Sequence, residues 1–129
     1  MVPTRPIVAV VEADASARGA LRLLLSSLDA EVRVFDSAES YLAARGDDHG
    51  CLITDMALPG MSGLDLLRRL RAARGAPPVI LLGEESDVAA AVNAIREGAV
   101  DFIERPRMDV SILRRVAYLI DHAEAEVKH

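Results

Sequence analysis

Residues 51–64 read CLITDMALPGMSGL. The first four side chains are apolar or β-branched, and one carboxylate, Asp55, follows them before a loop that contains Pro59 and Gly60. A short unbroken apolar run is typical of a strand that is buried on both faces of a parallel sheet. Ser62 then stands where a helix N-cap is expected, ahead of leucines at helical spacing. This segment therefore predicts a buried strand, a loop that begins after Asp55, and a helix.

Four more short apolar runs lie along the chain, with helical periodicity between them. They are residues 6–11, 31–35, 78–82 and 100–103. Residues 31–35 alternate apolar and polar side chains, which favours a strand at the edge of the sheet, whereas the others are nearly continuous in Val, Ile and Leu. Because crossovers between parallel strands are right-handed, five such units predict an α/β fold with a doubly wound, five-stranded parallel sheet, (βα)5.

The stretches between the runs carry apolar stripes at helical spacing, which we expect to face the sheet. The stripes are Leu21, Leu24, Leu25 and Leu28; Leu64, Leu67 and Leu70; Val88, Ala91, Val92 and Ile95; and Val110, Leu113, Val116, Ala117 and Ile120. Asp14, Ser37, Ser62 and Asp109 are predicted N-caps, and Gly98 stands where a helix should end. Ile112, Tyr118 and Leu119 lie off the last stripe, so this pattern predicts an apolar outer face on the last helix, available for a homodimer or a partner.

Composition and charge narrow the class of protein. The chain has 129 residues, 51% hydrophobic and 27% charged, which fits one globular domain over residues 1–129 and excludes a disordered chain. The net charge of −5 opposes direct binding of nucleic acid, which needs a basic face. Cys51 is the only cysteine, so an internal disulfide is excluded. The apolar runs are far shorter than the roughly 20 residues of a membrane span, and we expect a soluble, cytoplasmic domain without a membrane partner.

Charged side chains follow several of the predicted strands directly. In doubly wound sheets the working site lies outside the carboxyl ends of the strands. Glu12 follows the first strand, Asp55 the third and Arg105 the fifth. The sequence therefore predicts an acidic pocket, formed by Glu12 and Asp55, that one cation faces.

Two segments of the chain, CLITDMALPGMSGL at residues 51–64 and EGAVDFIERP at residues 97–106, resemble the receiver domain of two-component response regulators. The similarity covers essentially the whole chain and is strongest to receivers of FixJ-type transcription regulators. It implies the CheY-like, flavodoxin-type fold with strand order 2-1-3-4-5. It also implies that Asp55 is the position that accepts a phosphoryl group from a histidine kinase, and that Phe102 is the position of a rotamer-switching aromatic.

The sequence departs from that family at three positions around the implied site. The family has two acidic residues after the first strand, whereas Ala13 here leaves only Glu12 as a metal ligand beside Asp55. Gly83 replaces the Ser or Thr that binds a phosphoryl oxygen, and Arg105 replaces the Lys that pairs with the phosphate. Loss of one oxyanion donor typically costs about 10²–10³ in rate. We therefore expect Mg²⁺ to bind weakly at best, no other cofactor, and weak or absent phosphorylation.

The replacement at residue 105 leads to a structural hypothesis of its own. Arg105 should form an ion pair with Asp55 and fill the space that metal and phosphate would occupy, because a cation relieves repulsion between neighbouring carboxylates. A guanidinium can also give a carboxylate two parallel hydrogen bonds. The family's Lys–Pro bond is commonly cis, so we expect the bond between Arg105 and Pro106 to be cis as well.

Several functions remain open on these grounds. The leading hypothesis is an atypical receiver domain, not an enzyme, that signals through contacts with a histidine kinase or another signalling protein. The alternative is a working phospho-acceptor at Asp55 that regulates a DNA-binding output domain absent from this chain. A small hydrolase or phosphatase that uses Asp55 and Glu12 is disfavoured, because no nucleophile or oxyanion-binding arrangement accompanies them.

Overall fold

The computed structural model describes residues 5–45, 50–73, 75–84, 88–105 and 110–127. They form a five-stranded parallel sheet in the order β2-β1-β3-β4-β5, with a helix after each strand, as predicted. The strands are β1 (Ile7–Val11), β2 (Glu31–Phe35), β3 (Gly50–Asp55), β4 (Val79–Gly83) and β5 (Asp101–Glu104). The helices are α1 (Ala15–Leu25), α2 (Ala38–Ala44), α3 (Gly63–Arg71), α4 (Val88–Arg96) and α5 (Val110–Val127).

Side chains alternate between two cores along each strand, because successive residues of a strand point to opposite faces. Val10 and Ile53 pack with residues of α1 and α5, whereas Val11 and Leu52 pack with residues of α2, α3 and α4. All six residues of β3 are buried, since this strand is central and is covered on both faces. The sequence pattern of residues 51–54 reflects that position.

The edge position of β2 and most of the helix ends follow the sequence expectations. The other edge strand is β5, in which only Ile103 is buried, although its apolar run predicted a strand covered on both faces. Residues 31–35 form β2 at the edge of the sheet, and three of the predicted N-caps each accept a backbone hydrogen bond: Asp14, Ser37 and Ser62. The fourth, Asp109, lies outside the described residues. Gly98 follows α4 at φ +111°, and a Cβ there would lie 2.5 Å from Nε of Arg71. The positive φ therefore favours a glycine at this helix end, whereas the flexible side chain of Arg71 can move away from an added Cβ.

The predicted inner stripe of α4 is wrong. Val88, Val92 and Ile95 are 64%, 48% and 48% exposed, and Ala94 is the buried residue of the helix. A methyl side chain lets the helix approach the sheet closely, so the alanine face packs inward although it is the less hydrophobic one. The larger apolar residues consequently face solvent in the described structure.

The predicted outer face of α5 is also wrong in part. Tyr118 is exposed as expected, but Ile112 and Leu119 belong to the core, with 0% and 7% exposure. The buried positions are Ile112, Val116, Leu119 and Ile120, which also recur at about one helical turn and share Val116 and Ile120 with the predicted stripe. Periodicity alone could not separate the two faces of such an apolar helix. No helix within the described ranges is long and apolar enough to cross a membrane.

Candidate functional site

The sheet brings the predicted pocket residues together at its carboxyl edge. Val11 is in register with Thr54, and Asp55 with Leu82, so Glu12 and Asp55 leave neighbouring strands at nearly the same height. Both carboxylates belong to buried residues, with only 1% and 5% exposure. Burial of two like charges is costly unless a cation compensates them. The pocket must therefore contain a positive charge or keep a proton.

Arg105 supplies that positive charge from the end of β5. Its Nη2 donates a hydrogen bond to Oε1 of Glu12 at 2.7 Å and another to Oδ2 of Asp55. Its Nε lies 3.3 Å from Oε1 of Glu84, directly after β4. The predicted contact between Arg105 and Asp55 is thus present, with one difference. Nη2 alone donates to both carboxylates, whereas we expected two guanidinium nitrogens to donate to the carboxylate of Asp55.

Backbone groups hold the outer oxygens of the same two carboxylates. Oε2 of Glu12 accepts the N–H of Asp14 at 3.1 Å, and Oδ1 of Asp55 accepts the N–H of Ala57 at 3.2 Å. Each carboxylate therefore turns one oxygen toward its own loop and the other toward Arg105. The two inner oxygens meet at one nitrogen.

Arg18 is a residue of this site that the sequence did not reveal. Its Nη1 donates to the backbone oxygens of Glu12, at 2.9 Å, and Ala13, at 3.3 Å. The contact fixes the β1–α1 turn from the side of α1, and this turn orients the carboxylate of Glu12. In the sequence, Arg18 occupies only a polar position of an amphipathic helix, so no pattern distinguishes it.

Burial and the neighbouring charges both shift the pKa values of the pocket residues. Burial raises the pKa of Asp55 above its ordinary value, and the charge of Glu12 raises it further, while the N–H of Ala57 and the cation of Arg105 lower it. Burial lowers the pKa of Arg105, but contacts with Glu12 and Asp55 outweigh this and leave the pKa above its ordinary value. The guanidinium consequently stays charged.

The other positions of interest contribute less to the pocket. Ala13 offers no side-chain oxygen, and Gly83, the last residue of β4, offers no hydroxyl. Phe102 is half-buried and packs against the core that faces α2, α3 and α4. Pro106 lies outside the described residues, and so does the predicted cis bond between Arg105 and Pro106.

The pocket as it stands does not fit a magnesium ion. Mg²⁺ requires near-octahedral oxygen ligation. All four carboxylate oxygens of Glu12 and Asp55 already accept hydrogen bonds, and a guanidinium occupies the space between them. Within the described part of the chain, no three His, Cys, Asp or Glu side chains are grouped so that they could hold a metal ion.

Comparisons with known proteins show which family the chain belongs to. Residues 8–117 match the response regulator receiver domain. The chain is 35% identical over 126 residues to the transcriptional regulatory protein FixJ of Bradyrhizobium diazoefficiens, covering 97% of this chain and 62% of that protein. It is 37% identical over 122 residues to FixJ of Rhizobium meliloti, covering 92% and 60%. The chain thus spans about three fifths of the length of these relatives.

Solved structures agree with the sequence matches. The full-length FixJ structure from B. japonicum superposes with a TM-score of 0.86 at 35% identity, covering 98% of this chain and 63% of that one. The response regulator StyR superposes with a TM-score of 0.87 at 33% identity, covering 97% and 64%. In the fold that these relatives share, Asp55 is the last residue of the third strand. The chain belongs to the response regulator receiver domain family.

Proposed function

We propose that this receiver domain acts in signal transduction through protein–protein contacts, with weak or absent phosphorylation of Asp55. The observation that carries the proposal is the bridging position of Arg105 between Asp55 and Glu12. Ala13 and Gly83 support it, because each removes a group that phosphoryl transfer would use. The domain would then have no enzymatic activity of its own.

The chemistry of phosphoryl transfer explains why these changes matter. The reaction needs an in-line nucleophile and positive charge around the oxygens of the transferred group. Oδ2 of Asp55 accepts a hydrogen bond from Arg105 and Oδ1 accepts one from the N–H of Ala57, and both contacts make the carboxylate a weaker nucleophile. A rate loss of about 10²–10³ is expected from the missing hydroxyl at Gly83 alone.

Membership in the receiver family suggests the partners of this domain. We expect a histidine kinase or another signalling protein to bind this domain, and no direct contact with nucleic acid or membrane. A homodimer through α5 is a weaker candidate, since Ile112 and Leu119 are buried and Tyr118 alone of the three predicted residues is exposed. A single domain over residues 1–129 and a cytoplasmic location complete the proposal.

The second candidate is a working phospho-acceptor that regulates a DNA-binding output domain outside this chain. Two observations favour it: Asp55 is present, and the relatives named as transcriptional regulatory proteins are longer than this chain. In that case Arg105 would have to leave the carboxylate of Asp55 before transfer.

A phosphodonor assay separates the two candidates. The chain is incubated with acetyl phosphate and Mg²⁺, and the intact mass is followed over time, with Asp55→Asn as the control. We expect little or no Asp55-dependent phosphoryl adduct on the native chain. The triple variant Ala13→Asp, Gly83→Thr, Arg105→Lys restores the family's residue types and should gain the adduct. Rapid, stoichiometric labelling of the native chain would instead support the second candidate.

A further inference from the structure

We propose that Arg105 is an autoinhibitory cation, which holds the Glu12–Asp55 pair closed, and that its removal turns this pair into a site for a divalent metal ion. The inference rests on the proposed function, because it explains how the pocket is kept in one charge state. The pocket differs from a magnesium site in one respect. The carboxylates of Glu12 and Asp55 are present, but the side chain of Arg105 takes the place of the ion.

The geometry shows where a cation is held. Oε1 of Glu12 and Oδ2 of Asp55 both lie within hydrogen-bond reach of one nitrogen, Nη2 of Arg105. Their outer oxygens are fixed by the N–H groups of Asp14 and Ala57, and these contacts do not depend on Arg105. The two inner oxygens thus remain turned toward a common point when the guanidinium is removed.

Charge adds a reason for the empty pair to take up a metal. Glu12 and Asp55 are buried, and Glu84 stands at the rim on the other side of Arg105. Without the guanidinium the carboxylates of Glu12 and Asp55 would face each other with no cation between them. Like charges at such distances favour uptake of a cation, and a divalent ion with oxygen ligands suits them best.

The attachment of Arg105 to the sheet explains why metal does not simply displace it. Glu104 is paired with Gly83 of β4, and Arg105 follows directly, so the backbone at this point cannot move far from the pocket. A tethered group competes with an effective concentration that can reach the millimolar range. Free Mg²⁺ at comparable concentration therefore meets a competitor that is always present. Arg105 is 24% exposed, so the pocket is open to solvent on that side.

The test measures binding of Mn²⁺ and Mg²⁺ directly, by calorimetry and by amide chemical shifts, in the native chain and in Arg105→Met. Methionine keeps an unbranched apolar stem and removes the charge. We expect the variant to bind Mn²⁺ at least about tenfold more tightly than the native chain, since even in water a unit charge about 4 Å from a divalent ion is worth that factor. Arg69→Met removes the same charge from an exposed position of α3 and should leave affinity within about twofold of the native value. Adding Asp55→Asn to Arg105→Met should abolish the gain.

The measured affinities either support or overturn the role of Arg105 as a competitor of the metal ion. Equal affinities of the native chain and a folded Arg105→Met variant, or a gain that survives Asp55→Asn, would overturn it. If the variant is unfolded without metal, circular dichroism with and without Mn²⁺ replaces calorimetry: refolding by Mn²⁺ supports the inference, and an unfolded chain in both buffers overturns it. The proposed function has a separate test. Rapid phosphorylation of the native chain would contradict it, whatever the affinity of the Arg105→Met variant for metal.

Discussion

Loss of the Arg105 guanidinium should destabilise the fold in a pH-dependent manner. In Arg105→Met, Glu12 and Asp55 would remain buried without a cation. Breaking a fully buried ion pair on one side costs about 3–5 kcal/mol. Arg105 is itself 24% exposed, so screening by solvent reduces this value, and we expect a loss of about 2–3 kcal/mol at neutral pH.

The pH dependence follows from the pKa of Asp55. Burial already raises this pKa, and Arg105 is a group that lowers it, so the variant should have a still higher pKa. A carboxyl group whose pKa is higher in the folded than in the unfolded chain stabilises the fold at low pH and loses this contribution as pH rises through the folded pKa. The deficit of the variant against the native chain should therefore be smallest near about pH 4 and grow toward pH 7.

Urea unfolding at several pH values, followed by circular dichroism, measures this deficit. Arg69→Met is the matched control, and its free energy of unfolding should stay within about 0.5 kcal/mol of the native value. In a double-mutant cycle, Asp55→Asn should rescue part of the loss, with a coupling energy of about 1–3 kcal/mol. A deficit below 0.5 kcal/mol, or one that is the same at pH 4 and pH 7, would refute the reasoning.

Three further predictions concern the rest of the fold. Burial raises the pKa of the Cys51 thiol to about 12, so an aromatic disulfide reagent should label it only after denaturation, as a colorimetric thiol assay would show; fast labelling of the native chain would contradict this. Gly98→Ala should lower the free energy of unfolding by about 1–3 kcal/mol in urea titration, because φ is +111° there; an unchanged midpoint would count against this backbone geometry. Leu119→Ala should lower the free energy of unfolding by about 2–5 kcal/mol in thermal unfolding, and Tyr118→Ser by far less, because Leu119 is buried and Tyr118 is exposed. A larger loss for Tyr118→Ser would support the apolar outer face that the sequence predicted.

The sequence was most informative where one residue type satisfies one physical requirement. The unbroken apolar run at residues 51–54 predicted a central strand, and strand ends placed Glu12, Asp55 and Arg105 at one edge. These statements depend on the period of a strand and on parallel topology, both of which are visible in a single chain. The α/β fold and the ion pair could therefore be predicted from the pattern, whereas the strand order followed from the resemblance to receiver domains.

The errors arose where several helix faces satisfy the same pattern. In α4 the stripe Val88, Val92 and Ile95 is more hydrophobic than the alanine face, yet close approach to the sheet selected Ala94. The contact of Arg18 with backbone oxygens was missed for a different reason, because such a bond depends on a loop conformation that no residue pattern encodes.

The alanine face of α4 bears on the order in which parts of the domain open. The helix places one fully buried residue, Ala94, against the sheet, whereas α3 buries three leucines at Leu66, Leu67 and Leu70. Regions that bury little apolar surface open at lower free energy than the global unfolding transition. Backbone amides of α4 should thus exchange with deuterium well before those of α3, and α4 would leave the sheet before α3 while the central strands keep their protons.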